Sequence, residues 1–264
     1  MYAFDFHRPK SLDEALNLLG QGEDATPLAG GQTLLQSLRQ RLAMPSDLVD
    51  LGAIPELHGV RREGQSLVIG ATTRHAEVAA DPTVRDAIPA LAELASGIGD
   101  AQVRNMGTLG GSVANSDPAA DYPAGVLGLG ATVVTTRREI AADDFFVDLF
   151  ETALEPGELI REIRFPIPKR AGYAKFPQPA SRYALVGVMV AETGDGVRVA
   201  VTGAGPCAFR VPPMEQALAS DFRADALDGI TIDPDGLNED IHGTAAYRAN
   251  LIGVMAKRAV AAAS

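Results

Sequence analysis

With 264 residues, 46% of them hydrophobic, the chain exceeds the usual single-core size and reads as a soluble globular protein of two or three subdomains. A net charge of −11 argues against nucleic acid and anionic membrane as partners, because general affinity for either rests on Lys and Arg neutralising phosphates. One cysteine, Cys207, excludes an intrachain disulfide and any cysteine-rich iron–sulfur or zinc framework within the chain, so redox chemistry here would need an organic cofactor.

The longest nearly unbroken apolar run, Ala124 to Val134, is too short to span a bilayer, and the first residues lack the basic start and apolar core of a secretion signal. A cytoplasmic location is the expectation. His7, His58, His75 and His242 are scattered without metal-ligand spacing, which argues against a metal site.

The chain opens with a short apolar segment and then Ser11-Leu-Asp-Glu14, a capping-box pattern that predicts a helix with Leu12, Ala15, Leu16 and Leu19 inward and Gly20 and Gly22 at its end. Ala25 to Thr33 reads as a brief strand running into a glycine turn. Thr33 then starts a helix over 34–42, with Leu34, Leu35, Leu38 and Leu42 inward, and Asp47 to Leu51 returns as a strand. This is a small β–α–β unit, 1–55.

A second unit, 56–168, begins with strand-like text around Leu57 to Val60 and Leu67 to Arg74, split by a Glu63-Gly64 turn. Ala71-Thr-Thr73 either lines a cleft or simply ends the strand. Pro82 and Pro89 suit first helical turns, and Gly97 and Gly99 stop the second helix. Tyr122 to Val134 predicts a buried helix and strand, Arg137 to Asp144 a hairpin and turn, and Leu159 to Phe165 an edge strand. The proline-rich stretch 166–179 reads as the boundary to a third unit, 169–264. There, strands over 183–192 and 197–202 flank a Gly194-Asp-Gly196 turn, and helices are expected over 214–218 and 245–261.

Two glycine segments stand out. Leu28-Ala-Gly-Gly-Gln-Thr33 lies where a strand meets a helix, and Arg104-Asn-Met-Gly-Thr-Leu-Gly-Gly-Ser112 carries Asn115 and Ser116 just beyond. Bare backbone lets a run of N–H groups bind an anion with no lysine or arginine. For the second run alone, a bulged strand and tight turn is the competing reading. Neither segment matches Gly-x-x-x-x-Gly-Lys-Ser/Thr or Gly-x-Gly-x-x-Gly, which disfavours a nucleotide-hydrolase loop and an ordinary nicotinamide site. Together the segments suit a ligand with two linked phosphates. Asp117 and Asp121 should then face hydroxyls or ring N–H groups, since a carboxylate about 5 Å from each phosphate charge costs roughly 3 kcal/mol. Capping the helix that follows Asp121 is their competing role.

Ala29-Gly-Gly-Gln-Thr33, Arg104-Asn-x-Gly-Thr-Leu-Gly-Gly-Ser112, Asn115-Ser-Asp-Pro-Ala-Ala-Asp121, Phe150-Glu-Thr-Ala-Leu154 and Asp240-Ile-His-Gly-Thr-Ala-x-Tyr-Arg248 carry a resemblance that runs along essentially the whole chain. They resemble the medium, FAD-binding subunit of molybdenum hydroxylases, the family of aerobic carbon monoxide dehydrogenase and xanthine dehydrogenase. The resemblance implies an α+β chain, with a two-subdomain FAD fold like that of vanillyl-alcohol-oxidase flavoproteins followed by a C-terminal α+β domain. It implies FAD held by Leu28, Ala29, Gly30, Gly31, Gln32, Thr33 and Leu34 from the first segment and by Thr108, Leu109, Gly110, Gly111, Ser112 and Asn115 from the second. Asp121 would take a ribose or nearby polar contact, and Lys175 and Tyr183 are candidates beside the flavin ring, with a structural role as the competing reading for each. No side-chain catalyst is expected, and Cys207 reads as incidental.

The implied partners are a large subunit with the molybdenum cofactor and a small subunit with 2Fe-2S clusters, in a dimer of heterotrimers. Electrons would pass from the clusters to FAD in this chain and on to NAD, a quinone or oxygen. A stand-alone flavin oxidase and a cofactor-free scaffold subunit are the rival readings.

Overall fold

Parallel pairing sets the first sheet apart from the others. In the computed structural model, which describes residues 1–264, β1 (Asp5–His7), α1 (Leu12–Gln21), β2 (Ala25–Leu28), α2 (Leu34–Arg39) and β3 (Asp47–Asp50) form a sheet of order β1-β3-β2, both neighbours of β3 being parallel. Ser11 caps α1 by accepting the Glu14 N–H, and Glu14 reaches back to the Lys10 N–H, one residue earlier than a capping box requires. Ala15 packs with Val49, Leu51, Ile54 and Leu57 in a small core. The second helix is shorter than its periodicity suggests: it stops at Arg39, Arg41 turns left-handed, and Leu42 faces outward at 76% exposure.

The second sheet comprises β4 (Val60–Glu63), β5 (Ser66–Gly70), then, after helices α3 (His75–Ala80), α4 (Pro82–Ala87), α5 (Pro89–Ser96), α6 (Ala101–Met106), α7 (Leu109–Asn115) and α8 (Tyr122–Gly128), strands β6 (Thr132–Thr135) and β7 (Glu139–Ala141). A short helix α9 (Ala142–Phe145) and a small hairpin, β8 (Phe146–Asp148) with β9 (Glu151–Thr152), precede β10 (Ile160–Pro166). The order is β4-β5-β10-β6-β7. The segment expected at the edge is therefore the central strand, paired on both sides. Pro166, which suggested an edge, is its last residue, where a missing N–H costs no interior ladder bond.

Two further expectations change, and one helix is new. Residues 55–57 form a 3-10 turn, with the strand starting only at Val60. Residues 101–106 are helical, with Asp100 capping through the Val103 N–H. The boundary stretch contains a strand, β11 (Arg170–Pro177), whose prolines flank it. β11 joins β12 (Ala184–Thr193), β13 (Gly196–Thr202) and β14 (Phe209–Arg210) in an antiparallel sheet covered by α10 (Pro212–Ser220) and α11 (Ala245–Ala262). That sheet has its own core of 17 buried residues on one face, while Met189, Ala191 and Ala200 on its other face join the 32-residue core that packs against the second sheet. No helix is long and apolar enough to cross a membrane.

Candidate cofactor cleft

Both glycine segments open onto one cleft of about 520 Å³. Leu28, Ala29, Gly30, Gly31, Gln32, Thr33 and Leu34 line it from the first, and Thr108, Gly110, Gly111, Ser112 and Asn115 from the second, with Asp117, Asp121 and Tyr183 also on its surface. Leu109 and Lys175 do not line it: Leu109 is fully buried in the core behind the wall, and Lys175 bonds the backs of three lining segments. Arg182 is the only arginine or lysine on the lining.

The two segments touch through Gly30. A Cβ there would overlap the Met106 carbonyl oxygen and come within 2.7 Å of Gly107 Cα, so only bare backbone fits. Gly31 has φ of 70°, the left-handed region that favours glycine. No backbone N–H from Ala29 to Leu34 donates a hydrogen bond within the chain. Such a row of unpaired donors, lining a cleft, is what an anion requires.

The second segment differs. It is neither a bulge nor a bare turn but the start of a helix, with Thr108 as the cap whose hydroxyl accepts the Gly111 N–H at 3.2 Å. Leu109 donates to the Thr73 carbonyl at 3.0 Å and Gly110 to the Ala71 carbonyl at 2.8 Å. Its first amides are thus committed within the chain, leaving the Thr108 N–H, the hydroxyls and the positive helix end for a ligand. Gly110 is glycine because a Cβ would strike Ala71. Gly111 faces the opposite loop: apart from the Thr108 hydroxyl, a Cβ there meets only Ala29 Cβ, at 3.7 Å.

Asp121 sits at the cap position of α8 without bonding its amides. Its carboxylate accepts from the Tyr173 hydroxyl at 2.5 Å and from Lys175 Nζ, which also donates to the Gly97 and Arg182 carbonyls. Burial pushes the Asp121 carboxyl up, opposed by the Lys175 charge and the Tyr173 and Lys175 hydrogen bonds. Asp117 accepts from the Ala119 N–H in a local turn and is raised by burial. The capping role is therefore taken by neither carboxylate.

Two lining residues carried no signal in sequence. Glu158 has a fully buried carboxylate that accepts from Thr135, Arg138 and the Glu155 N–H, and these bonds outweigh burial to bring it down to about 2. His75 is buried against Gly107 and Tyr122. Burial, with Arg104 nearby, lowers it to about 4, so the ring is neutral at pH 7. A lone acid after Pro-Gly and a lone histidine at a helix start have no spacing pattern to mark them.

Part of the lining is enclosed, with Leu51, Glu158, Leu159 and Ile160 all buried; another part, around Ile98, Gly99, Arg182 and Tyr183, is open, Tyr183 being 45% exposed. No cluster of His, Cys, Asp and Glu side chains could hold a metal ion.

Residues 2–168 match the family model described as the FAD binding domain in molybdopterin dehydrogenase. The chain is 37% identical to the carbon monoxide dehydrogenase medium chain of Hydrogenophaga pseudoflava, covering 98% of this chain and 96% of that protein. It is 36% identical to the nicotine 6-hydroxylase medium subunit of Paenarthrobacter nicotinovorans, with the same coverage. Among solved structures, a chain of quinoline 2-oxidoreductase from Pseudomonas putida 86 superposes with a TM-score of 0.89 at 31% identity, over 98% of this chain and 96% of that one.

Proposed function

Because the chain belongs to the FAD-binding family of molybdopterin dehydrogenases, we propose that it is the FAD-carrying electron-transfer subunit of a cytoplasmic molybdenum hydroxylase. Large molybdenum-cofactor and small iron–sulfur subunits would accompany it in a dimer of heterotrimers. As an oxidoreductase flavoprotein subunit it would receive electrons from the iron–sulfur partner and release them to NAD, a quinone or oxygen. FAD supplies that chemistry when bound, since it can accept and release electrons singly or in pairs.

The observation that carries the proposal is the unpaired row of amides from Ala29 to Leu34, facing the start of α7 across a shared cleft. These groups suit a diphosphate, and no cation is needed. With the diphosphate there, adenine would lie in the enclosed part against Leu51, Leu159 and Ile160. The flavin ring would lie in the open part beside Ile98, Gly99 and Tyr183, because a redox group must be reachable from outside. The chain's own residues contribute position and polarity: Lys175 ties Gly97, Asp121 and Arg182 together, which holds that open part in one shape.

Purification of the chain with its co-expressed neighbours tests this. The expected result is a flavin absorbance band released as FAD by acid, with molybdenum and iron in accompanying polypeptides. A band retained after denaturation would make the chain a tethered oxidase, and no band after offering FAD would make it a scaffold.

A further inference from the structure

The segment Asp117 to Asp121, three of whose residues line the cleft, is held mostly from outside its own unit. The Ala184 N–H donates to the Ala119 carbonyl at 3.1 Å and the Gly203 N–H to the Pro118 carbonyl at 2.7 Å. The Thr202 hydroxyl contacts both the Pro118 and Ala120 carbonyls, at 3.0 and 2.6 Å. All of these groups sit at adjoining ends of β12 and β13.

Those strand ends are in turn fixed by one buried guanidinium. Arg248, in the first turn of α11 and only 3% exposed, donates from one nitrogen to the Leu185 carbonyl at 2.9 Å and the Gly203 carbonyl at 2.8 Å. Its other terminal nitrogen bonds Asp240 at 2.8 Å, and Asp240 itself closes the 240–243 turn by accepting the His242 and Gly243 N–H groups. Gly203 has φ of 85°, and any Cβ there would lie 2.6 Å from the Ala184 carbonyl oxygen, so its backbone is confined to the shape that sends the N–H to Pro118 and the carbonyl to Arg248.

We infer that Arg248 is a positioning residue for the FAD cleft, acting through Leu185 and Gly203 on the cleft-lining segment 117–121; this rests on the FAD reading above. A planar fork suits the site because its two terminal nitrogens serve different partners, one the Leu185 and Gly203 carbonyls and the other the Asp240 carboxylate, whereas an ammonium would have to reach all three from one point. Interior packing of α11 does not call for an arginine. Its other buried positions are Ala, Leu, Ile, Met and Val. Without the guanidinium, two inward carbonyls lose their donor and the strand ends are free to shift.

The test uses the full-length chain freed of FAD and titrated with FAD, following flavin fluorescence and the fine structure of the flavin absorbance band, with urea unfolding of the FAD-free chain as control. Arg248→Met should bind FAD at least tenfold more weakly and alter the band, while Arg248→Lys and Asp240→Asn fall between it and the parent. FAD affinity within twofold of the parent with an unchanged band overturns the inference. So does a loss that Arg248→Lys does not recover and that merely follows the urea midpoint. If Arg248→Met does not fold, Thr202→Val carries the test with the same thresholds, since it removes the hydroxyl contacts to Pro118 and Ala120 and leaves the arginine in place. A parent chain that binds no FAD sinks the functional proposal itself; a parent that binds while the variants match it sinks only the role of Arg248.

Discussion

The two glycine segments look alike in sequence and do different work. The first ends a parallel strand and leaves the amides of Ala29 to Leu34 without acceptors, so its chemistry is completed by whatever enters the cleft. The second begins a helix and has given its leading amides to Ala71, Thr73 and Thr108, so little beyond the Thr108 N–H and the hydroxyls is left for a ligand. One is an open row of donors and the other a preformed wall. Glycine serves close approach in both: Gly30 against Gly107, Gly110 against Ala71. A glycine-rich motif therefore reports where backbone comes near something, and only the hydrogen-bond inventory tells whether that something is ligand or chain.

The largest effect is expected at the contact between them. Gly30→Val would drive a branched side chain into the Met106–Gly107 backbone, abolishing FAD retention and lowering stability by about 3 kcal/mol or more, read by flavin content and urea unfolding. Close behind is a pH effect on the wall side. His75 titrates near 4 folded and near 6.5 unfolded, so the unfolded chain binds the extra proton between these values. Its contribution to stability is full above 6.5 and falls by about 3 kcal/mol as pH drops through 4. His75→Asn should flatten that part of the pH–stability curve; an unchanged slope would show that the histidine is not the group responsible.

Gly111→Val sharpens the contrast, because it fills the space toward Ala29 without meeting distant backbone. FAD affinity should fall about 100-fold, equivalent to about 2.7 kcal/mol, while the FAD-free chain unfolds within about 1 kcal/mol of the parent. Equal flavin content in parent and variant would rule out the gap as the phosphate site. Thr108→Ala removes the cap on α7 and should cost about 1 kcal/mol of stability with a lesser change in FAD affinity, consistent with a wall that supports more than it binds. Gln32→Ala loses only a 3.4 Å side-chain bond to Gly30 and should shift affinity by a few tenths of a kcal/mol, visible only in careful titration.

Much of this could be read along the chain. The Ser11 helix start, the Gly194-Asp195 hairpin, the prolines opening α4 and α5 and both glycine segments are local features whose physics is complete within a few residues. The family motifs imply FAD at the two glycine segments without reference to the fold. What stayed hidden depends on partners far away. Pro166 looked like an edge marker, yet β10 is central because β5 and β6 come to it from opposite sides. Asp121 looked like a cap, yet Tyr173 and Lys175, more than fifty positions later, take both its oxygens.

Residue chemistry and short-range spacing thus established which pieces of backbone were bare enough to approach an anion, since φ preferences, missing Cβ atoms and caps act locally. Folding alone settled which of those amides remained free, because a donor's fate depends on whether some distant carbonyl arrives first: for Gly110 the Ala71 carbonyl does, and for Gly30 none does.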